Sequence, residues 1–420
     1  MSLKSNNPNK HLVTLLSTLI YLTPMALLSG PFLPDLFISL SGIIFLYLSL
    51  VNRDTKYFRN NFFYFLILFN FFLIFSSLIS AEKFHSLSSS LVYFRFIIFS
   101  LSIWYILENN KLFLKFFTIA LLATFSIALL DGYIQFFFNR NILGLIPEID
   151  TNVRLSLMLN DRLILGGYLA RLLPLLFALI LLNFKSLKFT LILTSSLLIL
   201  TDVLIYLSGE RTAIALLIIS TLLLIFLLSR FNFLRAITFI LSILIIIIIS
   251  LSFSDIKERN IDQTINQMGL NNGTNKIYIV SDAHESYVYT GLSMFYNNMI
   301  FGIGPNNYRN FCSDDNYSSN ELSCNTHPHN TYIQILAETG LIGLLFILVI
   351  VIYIVRSIFK HLIAKITKNG KTMTDFQVCL MICFIVSLFP FIPTQNFFNN
   401  WINIIYFFPV GFYLYSKNKN

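Results

Sequence analysis

The chain predicts an all-α, polytopic integral membrane protein, on three observations. Of its 420 residues 56% are hydrophobic and 12% charged, and the mean hydropathy of +0.73 lies well outside ordinary globular usage. Apolar runs long enough to cross a bilayer recur along the whole length. The basic residues between those runs fall in alternate loops, as the positive-inside rule requires. That alternation also explains the formal charge of +9, so no nucleic-acid partner is expected, only the lipid bilayer. The first apolar run lacks a small-residue cleavage site and leads directly into further spans, which predicts no targeting peptide.

Taken in order, the runs occupy about 12–29, 31–51, 61–80, 91–107, 112–131, 163–182, 187–207, 212–229, 233–253, 331–355, 376–392 and 399–415, which predicts about twelve transmembrane helices. The first two are separated only by Ser29-Gly30-Pro31, and Asp131 and Gln135 interrupt an apolar run that extends to Phe138. Arg53, Lys56 and Arg59, then Lys111, Lys185 and Lys188, Arg230 and Arg235, and Arg356 through Lys371 share alternate loops with both termini, and these loops are expected to be cytoplasmic. About 132–162, Ser208 to Arg211, about 254–330 and Pro393 to Asn400 then face outward, with Arg211 and His329 on the same side. The segment 254–330, between helices 9 and 10, is too polar to span and predicts a partly helical periplasmic cap on a single membrane domain covering 1–420. Within it, Asp282 to Met299 has helical spacing, ended by Gly302 and Gly304. The segment 132–162 carries Arg140, Arg154, Asp161 and Arg162 and leads into a helix that holds Arg171.

The polar cap returns to apolar sequence at His327-Pro328-His329-Asn330-Thr331. Pro328 suits a first helical turn, and Thr331 with Gln334 has capping-box spacing, so a helix is expected to start between 328 and 331. At about 100° per residue His329, Ile333, Leu336, Gly340 and Gly343 share one face, where two glycines would let another helix approach. Glu338 falls on the opposite face, about 13 Å along at 1.5 Å per residue, and is expected to be structural.

His329-Asn330 followed by Gly340-Leu341-Ile342-Gly343 resembles the signature of the bacterial O-antigen ligase and O-antigen polymerase superfamily. Phe301-Gly302-Ile303-Gly304-Pro305 resembles the Gly-x-Gly segment that precedes the histidine in that family, and Ser208-Gly209-Glu210-Arg211-Thr212 resembles its arginine motif at a helix end. The resemblance implies a glycosyltransferase, metal-independent and inverting, that moves a glycan from undecaprenyl diphosphate to lipid A core or another glycan acceptor at the periplasmic face of the inner membrane. No cofactor is implied.

Such a reaction needs a base for the acceptor hydroxyl and cations for the departing diphosphate. Histidine titrates near ambient pH, and the guanidinium fork matches phosphate oxygens two at a time. Read without the motif, His329 is a helix-start histidine bonding its loop, and the resemblance makes it the base. Arg211, otherwise an interfacial anchor, becomes the diphosphate ligand. Arg171, an intramembrane charge, either contacts substrate or pairs with Asp161 or Asp202. Arg154, Arg309 and Asn330 are further candidates for substrate contact, and His327 is either loop structure or an acceptor contact. His284 stands where many members carry an arginine, and either contacts the diphosphate or orients its helix.

His284, His327, His329, Cys312 and Cys324 include zinc-type ligands, but neither Cys-x-x-Cys nor His-Glu-x-x-His spacing occurs, so no metal is expected. In an oxidising compartment Cys312 and Cys324 are expected to form a disulfide, worth about 3 kcal/mol at this loop length. Cys379 and Cys383 pack as small hydrophobes. Asn272-Gly273-Thr274 and Asn316-Tyr317-Ser318 fit the glycosylation pattern, which arises by chance in Asn-rich loops. A transporter without chemistry is the rival class, and would place paired charges or broken helices near the bilayer midplane.

Overall fold

The computed structural model describes residues 8–146, 154–158, 163–184, 186–270 and 277–418; Asp161, Arg162, Lys185 and the Asn272-Gly273-Thr274 tripeptide lie outside them. The longer helices are α1 (Pro8–Ala26), α2 (Phe32–Val51), α3 (Asn61–Ile79), α4 (Lys83–Ser90), α5 (Phe94–Asn109), α6 (Phe113–Phe138), α7 (Leu165–Asn183), α8 (Leu187–Leu207), α9 (Arg211–Leu227) and α10 (Asn232–Ser252). After them come the short α11 (Ser254–Lys257) and α12 (Gln263–Gln267), joined by a π turn at Glu258–Asp262. Then follow α13 (Asp282–Asn297), the short α14 (Tyr308–Phe311), α15 (Thr331–Thr367), α16 (Asp375–Ser387) and α17 (Asn400–Asn418).

Each expected span coincides with a helix, and 8 of them are long and apolar enough to cross a membrane: α2, α3, the stretch Lys83–Asn109 that joins α4 to α5, α6, α7, α8, α10 and α15. Of the rest, α9 and α16 are apolar but shorter, and α1 and α17 are less apolar. The innermost helix is α7, packed by α6, α8, α9 and α16. By contrast, α10 presents Ile240, Ile247, Ile248 and Leu251 outward, the surface a lipid-facing helix requires.

Several expectations are corrected, each because a polar group finds a partner. Asp131 and Gln135 do not interrupt α6: Gln135 Nε2 donates to Asp131 Oδ2 at 2.7 Å, and Asp131 Oδ1 accepts from Ile142 N at 2.8 Å. Arg235 is not a loop residue. It is fully buried in α10, forked onto Asp202 of α8 at 2.7 and 3.0 Å, with Thr221 of α9 also accepting from it. Asp202 is therefore unavailable to Arg171.

The capping box at Thr331 does not form. Asn330 is the N-cap of α15, accepting from Tyr332 N and Ile333 N, while Thr331 Oγ1 bonds Thr394 and Gln334 bonds Glu338, Asn396 and Phe397 N. His329 consequently precedes the helix and shares no helical face with Gly340. Nor is Gly340 a smooth helical contact, since with φ 64° and ψ −165° it breaks α15. The break frees backbone groups that another segment satisfies. Ile303 N and Gly304 N donate to the carbonyls of Ala337 and Glu338, while Leu341 N and Ile342 N donate to those of Met299 and Ile300. A Cβ on Gly302 (φ 68°) would lie 2.3 Å from the Glu338 carbonyl carbon, and one on Gly340 2.3 Å from the Ile300 oxygen. Only glycine permits that crossing.

The same loop is held from three further sides. Ser76, Ser80 and Ser86 donate to the carbonyls of Phe301, Ile303 and Pro305, and Gly304 lies against Ser80. The buried Glu338 carboxylate accepts from Asn306 N at 3.0 Å and Tyr308 N at 2.8 Å. Gly343 remains helical, near Phe72. Cys312 and Cys324 are bridged, with Cα atoms 5.0 Å apart, and Cys379 and Cys383 are buried free thiols.

Candidate active site

With α15 broken and its first turn clamped, the residue before its N-cap is fixed as well. His329 adopts a left-handed backbone (φ 53°), a conformation that a non-glycine residue holds only when its surroundings impose it. Here Thr394 N donates to the His329 carbonyl at 2.8 Å, and Asn330 is committed to both the cap and the Pro390 carbonyl. The Asn330 side chain thus holds the turn that precedes α15.

Three histidine rings meet at this point. His329 lies 4.1 Å from His327 and 5.4 Å from His284 between ring centroids, with Tyr287 at 5.5 Å. His327 is buried and spoken for: its Nε2 is 2.9 Å from the Thr394 carbonyl, which can only accept, so Nε2 carries the proton and Nδ1 accepts from the Thr326 hydroxyl at 2.8 Å. His284 is held by Ser281, the N-cap of α13, whose hydroxyl lies 2.7 Å from Nδ1 and accepts from His284 N. His329 is partly exposed, with the Thr394 backbone beside its ring.

Electrostatics keep all three neutral near pH 7. Burial pushes His327 down to about 3, helped by the charges of His329, Arg309 and His284 and opposed by the Thr394 carbonyl. Burial, then His329 and Arg211, push His284 down to about 4. His329 is also held below the ordinary histidine value by burial, which the Thr394 backbone partly offsets. A neutral imidazole is the form that accepts a proton.

Beyond His284 lies a group of arginines. Arg211 opens α9 and donates to Thr264 Oγ1 at 3.2 Å. Arg259, from the π turn, donates to Gln263 Oε1 at 2.8 Å, and Arg154 donates to the Leu163 carbonyl at 3.2 Å. Among the described residues the Nε atoms of Arg154 and Arg259 are buried without a hydrogen-bond partner. Burial and then the charges of Arg211 and Arg154 lower the Arg259 pKa. Among the described residues none of the three makes an ion pair. Like charges gathered without an ion pair among the described residues make a site for a multiply charged anion.

Arg171 is deeper, buried in α7 and donating to the Gly167 carbonyl of its own helix. Both it and Arg154 act electrostatically on Glu210, whose oxygens are occupied by Gly166 N at 2.7 Å and Gly167 N at 3.1 Å. Burial pushes the Glu210 carboxyl up to about 7 against those donors and arginines. Arg309 is exposed, and its charge reaches His327.

Three contributors were not singled out from sequence. Glu210 stands inside the arginine motif itself. Arg259 is a basic residue in a segment where the positive-inside rule disfavours one, a signal that was available. Thr394, which holds two histidines through its backbone, leaves no side-chain signal.

No curated protein matches the chain. A family model described as O-antigen ligase matches residues 194–348, from α8 into α15, which includes Arg211, Arg259, His284, Gly302, Gly304, His327, His329, Gly340 and Gly343 and leaves out Arg154 and Arg171. Residues 194–348 thus match the O-antigen ligase family, within a chain whose helices are those of a multi-pass membrane protein.

Proposed function

We propose that this protein transfers a glycan from undecaprenyl diphosphate to lipid A core at the periplasmic face of a bacterial inner membrane. The supporting observation is a partly exposed His329 packed against His284, on which Arg211 acts, together with arginines that make no ion pair among the described residues. In this reading Arg211, Arg154 and Arg259 hold the diphosphate, and Arg171 supports them from below. His329 takes the proton of an acceptor hydroxyl, whose oxygen attacks the anomeric carbon from the face opposite the diphosphate. The bond from that carbon to the diphosphate oxygen breaks, and its electron pair leaves on the diphosphate among the arginines. His284, neutral in the free protein, gains a proton on donor binding if it touches the phosphates.

The twelve helices then all span, with cytoplasmic termini and residues 254–330 as the periplasmic cap. Purified protein given a lipid-linked glycan and lipid A core should form the glycosylated lipid. Joining two lipid-linked glycans instead would make it a polymerase, and absence of any glycan transfer would remove the transferase reading.

A further inference from the structure

On the Arg309 side of the histidines lies a cleft of about 390 Å³ that the reaction above does not use. Its lining includes the amides of Asn306, Asn396, Asn399 and Asn400 and, among the described residues, no carboxylate. We propose that this cleft is a second substrate subsite that holds the saccharide of the glycan acceptor through its hydroxyl groups. The proposal rests on the transferase reading for what is transferred, and on the cleft itself for what is bound.

The chemistry of the lining fits that ligand. A sugar hydroxyl both donates and accepts, and a primary amide offers both roles within one planar group. Ser88 and Ser89 add two hydroxyls, Phe398 an apolar surface, and the volume falls within the roughly 300–1,000 Å³ of small-molecule sites. The lining is also held in place. Asn396 Nδ2 donates to Asn306 Oδ1 at 2.9 Å, Asn396 Oδ1 accepts from Gln334 Nε2 at 2.8 Å, and Asn306 Nδ2 donates to Ser89 Oγ at 3.2 Å. The Asn400 side chain bonds no described residue, and Arg309 has only a 3.4 Å contact to Asn306 Oδ1, so both have hydrogen-bonding capacity to offer. Arg95, the other cation of the lining, is already paired with Asp35 at 2.9 Å.

Position assigns the cleft to the acceptor. The segment from Thr394 to Asn400 holds His327 and His329 at one end and lines the cleft at the other. The His329 ring packs against both His284 and His327, and the charge of Arg211 acts on the first while that of Arg309 acts on the second. A base between donor and acceptor needs the two on opposite sides, and the arginine cluster occupies the first.

The test uses the full-length protein in detergent and, as probe, core oligosaccharide freed of its lipid. Binding is measured to His329→Ala protein, which needs no turnover, alone and with Asn400→Leu or Arg309→Ala added. Arg309 is exposed, so its removal leaves the fold intact. Each added substitution should weaken probe binding about tenfold, and in otherwise wild-type protein should raise acceptor KM about tenfold with donor KM within twofold. No probe binding at millimolar concentration, or binding and acceptor KM unchanged by both substitutions, would overturn the proposal. A rise in donor KM alone would overturn the acceptor assignment and give the cleft to the donor glycan. Because probe binding requires no transfer, failure of the subsite and failure of the transferase reading are distinguishable.

Discussion

Two groups of arginine in this protein, one buried and one half-buried, are treated in opposite ways. Arg235 is matched: Asp202 takes its fork in two bonds, and Thr221 and Ser242 complete the cluster. Arg154, Arg211 and Arg259 have neutral hydrogen-bond partners and one another's repulsion, with no ion pair among the described residues. A paired charge in a membrane bundle fixes packing. A gathering of unpaired charge is maintained at a cost and becomes favourable when an anion arrives. The first group should therefore answer to stability measurements and the second to substrate.

The largest expected effect breaks the matched group. Asp202→Ala leaves Arg235 buried and unpaired and should cost about 3–5 kcal/mol of stability, read as a lowered Tm in detergent, while folded protein keeps its wild-type donor KM. An unchanged Tm would erase the distinction between the two groups. Next, His329→Ala should lower kcat by at least about a hundredfold, equivalent to about 2.7 kcal/mol, in protein whose Tm is unchanged. Wild-type turnover in that variant would leave the unpaired arginines without their base.

Arg211→Lys keeps the charge but loses the fork, so kcat/KM for the lipid-linked donor should fall about tenfold or more, and Arg259→Ala should raise donor KM about as much. Full activity in both would reduce these arginines to interfacial anchors. The smallest effect is in pH. Since His329 is held below the ordinary 6.5, transfer should stay level as pH falls through 6.5 and decline only below it. The same sign governs stability. His284 and His327, at about 4 and 3 in the fold, take up protons more readily unfolded, so stability should be lost as pH drops from about 6.5 toward those values. Activity that halves above pH 6.5 would show that the titrating base is not a buried histidine.

The sequence by itself determined the helices and the residue types of the site. Composition and apolar run length located the start of every long helix to within a few residues, because a bilayer leaves backbone groups no alternative to internal hydrogen bonds. Motif spacing singled out Arg211 and His329 as candidates, since catalytic chemistry restricts which side chains can serve. What the tertiary structure alone decided is how the backbone reaches them. Helical periodicity assumed that α15 was continuous and therefore put His329 and Gly340 on one face. Gly340 instead breaks the helix, because a distant loop through Gly302 supplies the donors and acceptors that the break leaves unpaired. Likewise the partner of Arg235, the absence of an ion pair for Arg259 among the described residues, and the grip of Thr394 on two histidines depend on how segments far apart in the chain are placed. Local periodicity carries no information about those contacts, and they decide whether a buried charge is structural or available for substrate.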